Sequence, residues 1–316
     1  MPKPFYPLWR NAHLQTIIAS QCNLSPTISS QNYRIPTTEN DWLTAEFSTP
    51  NTTSDQTACA ILLHGLCGSA HAGYMRRTAH QLLRQGLPVL RLNFRGYDPH
   101  SIDAKGLAHA GRSEDLDACL RFMRAQHPHM HYHLIGFSLG GNVALKFLAE
   151  PWNHDNIHQA IAICPPVDLK ACADKMEHPR NWIFRRYFAK RLNQLVQKRH
   201  QHYPELGKAP EFSNHIGFWE FDQGYTAPQS GFKNAEDYFA QCSTLQKLER
   251  IKLPCHILTA ADDPFVDNTK LMRADLPDYI ARQQTKQGGH MGFLGNRLKG
   301  TPYRWMDHYI MQRINA

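Results

Sequence analysis

Six short runs along the chain are rich in apolar and β-branched residues and bounded by turn formers. They are "ACAILLHG", "LPVLRLNFRG", "HYHLIGFS", "HQAIAICPP", "LPCHILTAADDP" and "YIARQQTKQGGH". The first five are almost continuously apolar, the pattern of strands covered on both faces, whereas the sixth is polar enough for an edge. Together they predict a parallel sheet. Between them the apolar positions recur at the helical period. "YMRRTAHQLLRQG" puts Met75, Ala79, Leu82 and Leu83 on one face and stops at Gly86, which suits a left-handed cap. "RSEDLDACLRFMRAQ" repeats Leu116, Leu120 and Met123, with Ser113 expected as N-cap and Glu114 and Asp115 in the first turn.

Strand and helix alternate, so the expected fold class is α/β, a mostly parallel central sheet flanked by helices. Residues 167–245 break the alternation: the stretch is aromatic and basic and offers no strong strand. A structureless loop of that length would be unusual in a compact domain, so it reads as a helical cap inserted into a core of residues 1–166 and 246–316. Ahead of the sheet, "NYRIPTTENDWLTAEF" reads as a hairpin.

Composition narrows the class. The 316 residues are 42% hydrophobic and 20% charged, as in a soluble globular protein with a sizeable core. The net charge is +8, but the cations are scattered and form no aromatic-interleaved stripe, which argues against nucleic acid as a partner. Eight cysteines, at positions 22, 59, 67, 119, 164, 172, 242 and 255, form no C-x-x-C pair and keep no regular spacing. That weighs against a disulfide scaffold and a zinc module and fits a reducing compartment. Prolines interrupt the first residues where a signal peptide needs an apolar run, and no stretch reaches the ~18 apolar residues that span a bilayer, so a cytoplasmic location is expected.

The chemistry centres on "HLIGFSLGGNVALKF". Gly136-Phe137-Ser138-Leu139-Gly140 is G-x-S-x-G between an apolar strand and a helix, where a sharp turn needs small residues two positions either side of its centre. A plain helix cap would explain a serine there but not both glycines. Such a turn lifts the Ser138 hydroxyl above the carboxyl ends of the strands, beside the unpaired N–H groups of a helix start. A serine nucleophile needs a base, and His290 in "QGGHMGF" follows the last strand in a glycine-flanked loop. The orienting acid precedes the histidine in chain order. "TAADDPFVD" offers Asp262, Asp263 and Asp267, and Asp168 follows an earlier strand. Asp263 before Pro264 equally suits a helix N-cap. Oxyanion donors are expected from the N–H of Leu139, after the nucleophile, and of Leu66, after "ACAILLHG"; His64 reads as a structural histidine.

Eight blocks in order carry a resemblance: "WRNAHLQTI", "LLHGLCGS" with "YMRRTA", "LNFRGY", "HAGRSEDL", "GFSLGGN", "FDQGYTAPQSGFKNAEDYF", "AADDPFVD" and "GGHMGF". Over nearly its whole length the chain resembles the YheT-like group of the α/β-hydrolase superfamily, relatives of the abhydrolase carboxylesterases. The resemblance implies an α/β-hydrolase fold and a triad of Ser138, Asp263 and His290. It also implies hydrolysis of esters of short- to medium-chain acyl groups, with no metal and no organic cofactor. A thioesterase, lipase, phospholipase or acyltransferase would use the same triad, and a non-catalytic binding protein is the rival of another class.

Three further features have competing readings. His127, His129, His131 and His133 alternate and on a strand would share one face like a metal site, although a solvated strand start explains them as well. "NWIFRRYFAKRLNQLVQKRH" aligns Phe184, Phe188, Leu192 and Leu195 on one helical face with arginines and lysines at its borders, which suits either a packed cap helix or contact with an anionic membrane. Trp219, Phe221 and Tyr225 are candidates to line a pocket for a small-molecule or lipid ester.

Overall fold

The apolar runs become strands because both faces of the sheet are covered. A computed structural model describes residues 4–21, 26–51, 57–97 and 104–315. In β3 (Ala58–Leu63), Ile61 and Leu63 point into one apolar layer and Ala60 and Leu62 into the other. The same alternation runs through β4 (Val89–Asn93), β5 (His131–Phe137), β6 (Ile157–Ile163) and β7 (Cys255–Ala260). Each fully buried Leu or Ile contributes about 1.5–3 kcal/mol relative to exposure, so no face of these strands tolerates a charge without a partner.

The hairpin β1 (Gln31–Pro36) and β2 (Trp42–Ser48) joins the sheet by antiparallel pairing of β2 with β4. The edge strand β8 (Ile280–Thr285) closes the other side, giving the order β1-β2-β4-β3-β5-β6-β7-β8, parallel from β4 onward. The chain steps from β3 to β4 on one side and then crosses back to β5, so strand order reverses at β3 and β5. In open α/β sheets that reversal is where ligands bind.

Helices α1 (Ala12–Gln21), α2 (Gly73–Arg84), α3 (Ser113–Gln126) and α4 (Leu139–Ala149) alternate with or precede the strands. Between β6 and β7 the chain forms α5 (Leu169–Met176), α6 (Trp182–His202), α7 (Phe218–Phe221), a π-helical turn at Asp222–Thr226, α8 (Ala227–Gln229) and α9 (Ala235–Cys242). Then come α10 (Thr269–Arg273) and α11 (Trp305–Ile314). No helix among the described residues is long and apolar enough to cross a membrane. The seven described cysteines are free and buried, and Cys22 lies outside the described residues.

Two local expectations are corrected. Arg112, not Ser113, occupies the N-cap of α3: Ser113 is already helical and its hydroxyl donates to Glu150, which also pairs with Lys146. A half-buried ion pair thus claims the hydroxyl that would have capped the helix. Nor do the four alternating histidines share a strand. His127 ends α3, His129 lies in a turn, and β5 begins only at His131. His133 is buried beside Gln159 (3.2 Å) and His158, and burial, with the His158 and His131 imidazoles nearby, lowers its pKa to about 4.

The N-terminal segment is tied to the other end of the chain. Gln15 is fully buried; its Oε1 accepts from Leu294 N–H at 2.7 Å while Nε2 donates to Leu294 O at 3.1 Å and Trp9 O at 2.9 Å. The side-chain amide stands in for a strand partner, pairing with both backbone groups of Leu294. Gln15→Leu keeps the apolar bulk but leaves the Leu294 N–H buried without an acceptor, so denaturant unfolding is expected to show a loss of about 1–3 kcal/mol. An unchanged unfolding midpoint would contradict this account of the clamp.

Candidate active site

Ser138 lies between β5 and α4 with φ 50° and ψ −118°, a conformation that costs a non-glycine residue on the order of 1–3 kcal/mol. Its surroundings hold it there. Ser138 N–H donates to Ile163 O at 2.8 Å, and its carbonyl accepts from Gly141 and Asn142 at 2.8 and 3.2 Å. The flanking glycines are required by close approach: a Cβ on Gly136 would sit 2.4 Å from Gly140 O, and one on Gly140 would sit 2.3 Å from Leu63 O. Only bare backbone lets α4 start this near β3.

The hydroxyl meets an imidazole. Ser138 Oγ is 2.9 Å from His290 Nε2, and His290 Nδ1 is 2.7 Å from Asp263 Oδ2. A carboxylate only accepts, so Nδ1 carries the hydrogen and the neutral ring presents the Nε2 lone pair to the serine. The Asp263 carboxylate is itself fixed: Oδ1 accepts from Phe265 N–H at 3.0 Å and Val266 N–H at 2.9 Å. No helix starts at Pro264, so the expected N-cap is corrected: one oxygen of Asp263 closes its own turn and the other meets the imidazole. The Phe265 ring also covers the imidazole, with centroids 4.2 Å apart.

The other acids are occupied elsewhere. Asp262 Oδ1 accepts from Gly289 N–H at 2.9 Å and so braces the histidine loop. Asp168 caps α5 through Ala171 N–H (3.1 Å) and pairs with Lys270 (2.7 Å), and Asp267 accepts from Thr269 N–H (2.8 Å).

Residues near the N-terminus complete the support, and nothing local in the sequence assigned them that task. Thr16 Oγ accepts from His290 N–H at 2.9 Å while donating to Ala12 O at 2.8 Å. Gly289, at φ 59°, passes so close to α1 that a Cβ would lie 2.4 Å from Ala12 O. With the Gln15 clamp on Leu294, α1 fixes the loop from both sides of the imidazole. The only sequence signal was the block "WRNAHLQTI", which carried a resemblance but no role.

Leu66 and Leu139 follow β3 and Ser138 at the topological reversal, and among the described residues neither N–H is bonded to a protein acceptor. His64 is spoken for: its Nδ1 donates to Gly65 O at 2.8 Å and its Nε2 accepts from Phe94 N–H at 3.0 Å. Cys164 lies beside Asp263 and His290, with one potential ligand atom from each within 4.8 Å of the others. Burial and the Asp263 charge push the Cys164 thiol well above its usual range, keeping it protonated, while Asp263 and His290 spend their facing atoms on each other. This trio is better suited to a hydrogen-bond chain than to a metal.

Ser138 opens into a cavity of about 150 Å³ walled by Leu66, Leu139, Phe188, Leu192, Phe221 and Tyr225, among others. Trp219 is not in that wall, contrary to expectation. It packs on Phe239 (5.5 Å between rings) under Lys170 (5.6 Å), because one helical turn that points Phe218 and Phe221 at the cavity points Trp219 away. The π-helical turn instead brings Asp222 to the cavity, beside the Thr226 hydroxyl. Burial in this apolar wall pushes the Asp222 carboxyl from 3.8 up to about 7. The folded state therefore holds a proton that the unfolded state has released, and stability falls as pH climbs between those two values. Asp222→Asn removes the charge at nearly constant size, so its gain in melting temperature is expected to be larger at about pH 8 than at about pH 5; equal gains would contradict the shift.

Comparison with known proteins places this geometry. The alpha/beta hydrolase fold family matches residues 61–296. The chain is 28% identical to the candidate esterase YheT of Escherichia coli over 95% of its own length and 89% of that protein. It is 28% identical to the monoacylglycerol lipase of Saccharomyces cerevisiae over 75% of this chain and 55% of that one. It is 24% identical to the mouse phospholipase ABHD3 over 96% and 75%. A solved esterase of Pyrococcus furiosus shares the fold with a TM-score of 0.59 at 18% identity, covering 91% of both chains. A family match across most of the sequence, joined to the reversal-point serine turn and the sheet order, means that the chain belongs to the alpha/beta hydrolase fold family.

Proposed function

We propose that the protein is a serine carboxylesterase acting on esters of short- to medium-chain acyl groups. The observation that carries this is the hydrogen-bonded line Ser138 Oγ, His290 Nε2, His290 Nδ1, Asp263 Oδ2, with spacings of 2.9 and 2.7 Å. Ser138 Oγ attacks the ester carbonyl while His290 Nε2 takes its proton. The N–H groups of Leu66 and Leu139, which have no protein acceptor among the described residues, hold the tetrahedral oxyanion. His290 then gives the proton to the leaving alcohol, and an acyl-Ser138 ester remains. Water attacks that ester with His290 again as base, the acid leaves, and Ser138 recovers its proton. Asp263 holds the ring in the tautomer that keeps Nε2 free and stabilises the imidazolium that forms.

Substrate size follows from the cavity. A mostly apolar space of about 150 Å³ fits a short acyl chain more readily than a long one. We assign the cap function to residues 167–245, since α6, α7 and the Asp222 turn supply much of the cavity wall. Lipase and phospholipase names among the relatives favour one second reading, in which the same triad acts on acylglycerols or phospholipids. The free, buried cysteines support a reducing, cytoplasmic setting.

Ser138→Ala is expected to lower kcat/KM on nitrophenyl butyrate by about 10⁴-fold or more with the circular dichroism spectrum intact. Asp263→Asn, which presents the wrong tautomer, should cost on the order of 10³–10⁴ in kcat. A chain-length series of nitrophenyl esters, run beside acyl thioesters and monoacylglycerols, reads the substrate class. Residual Ser138→Ala turnover near the wild-type rate would remove the serine from the mechanism.

A further inference from the structure

One helix does two jobs. The inward face of α6 puts Phe188, Leu192, Leu195 and Val196 on the cavity wall. The residues one turn round from them, Trp182, Ile183 and Tyr187, are exposed at 54%, 45% and 52%, although each is large and apolar. They lie at positions i, i+1 and i+5, with Arg186 and Lys190 on the same stripe. The N-terminal segment continues the patch. His13 Nε2 is 3.0 Å from Arg180 O, and the His13 ring stacks on Phe184 at 5.2 Å, which sets α1 beside the start of α6. There Trp9 and Leu14 are also exposed. Among the described residues, ten large apolar side chains are exposed, and seven of them fall within residues 6–14 and 182–187. Chance scatter of apolar surface does not concentrate in this way.

Charge decides what covers the patch. No Asp or Glu occurs before Glu39, and none occurs between His178 and Tyr203, whereas α6 carries six arginines and lysines. Arg10, Arg180, Arg186 and Lys190 are exposed and have no carboxylate partner among the described residues. A second copy of the chain meeting the same face about a two-fold axis would set cation against cation. Indole, phenol and aliphatic groups interleaved with arginine and lysine suit the boundary of a bilayer, where rings sit at headgroup depth and cations meet lipid phosphate.

We propose that the exposed aromatic and cationic face formed by residues 9–14 and the first half of α6 docks the enzyme on anionic lipid bilayers, so that esters enter the cavity from the membrane surface. The proposal deepens the esterase reading and rests on it for the word ester; the docking itself does not require turnover. Attraction to an anionic leaflet adds up over the exposed cations and is screened by salt, while the aromatic side chains anchor the contact.

The test uses the full chain and vesicles of phosphatidylcholine with or without about a quarter phosphatidylglycerol. Sedimentation is expected to carry the protein down with the anionic vesicles and not with the neutral ones. The double variant Arg186→Glu/Lys190→Glu should weaken that partition by about tenfold or more, and Trp182→Ser/Tyr187→Ser should weaken it as well. Neither pair lines the cavity, so hydrolysis of a soluble nitrophenyl ester should stay within about twofold of wild type, which also verifies folding. Hydrolysis of an ester embedded in the anionic vesicles should fall with the partition. Equal binding to both vesicle types, or unchanged binding by both variants, overturns the proposal. So does a concentration-dependent dimer that the variants disrupt, which would make a second copy the occupant. Sedimentation reads docking without catalysis, so failure of the esterase reading and failure of this one are separate results.

Discussion

The site depends on how closely the start of α4 approaches the end of β3. The Leu63 carbonyl lies where a side chain on Gly140 would have to be, and the Gly140 carbonyl lies where one on Gly136 would have to be. That proximity forces Ser138 to φ 50° and aims its hydroxyl out of the sheet. Relaxing the turn by even one methyl group would lower the hydroxyl towards the strands and away from the imidazole. The strain is sustained by three backbone hydrogen bonds and by a sheet whose strands are buried on both faces. Stability of the whole fold is thus coupled to one unfavourable conformation at Ser138.

The histidine is held by the opposite strategy, long-range bracing in place of local strain. Asp262 takes Gly289 N–H, Thr16 takes His290 N–H, and Gln15 pairs with both backbone groups of Leu294. Asp263 divides its two oxygens between its own turn and the imidazole. A loop side chain braced in this way has little freedom left to lose, which is the precision the proposed base requires.

What could be read from the sequence was what local spacing determines. The strands, the two-sided burial, the serine turn and its glycines all follow from residues within a few positions of one another. Ser138 and His290 were legible for the same reason, each by its place after a strand. Asp263 was favoured over Asp262 and the resemblance strengthened that choice, but the backbone turn that directs one carboxylate to the imidazole and the other to Gly289 is a tertiary fact. The α1 clamp was silent, since Gln15 and Leu294 are 279 positions apart. Trp219 was misplaced because its orientation depends on a single helical turn running into a π-helical one, which no apolar period announces. Ser113 failed as a cap because Glu150, just past the end of α4, took its hydroxyl.

The proposed role of Ser138 as the activated nucleophile can be read on the protein itself. Mass spectrometry of the folded protein after reaction with a fluorophosphonate reads this directly. One phosphonyl adduct is expected, located on Ser138 by peptide mapping and lost when His290 is replaced by alanine. An adduct on another residue, or none on protein shown to be folded, would contradict it.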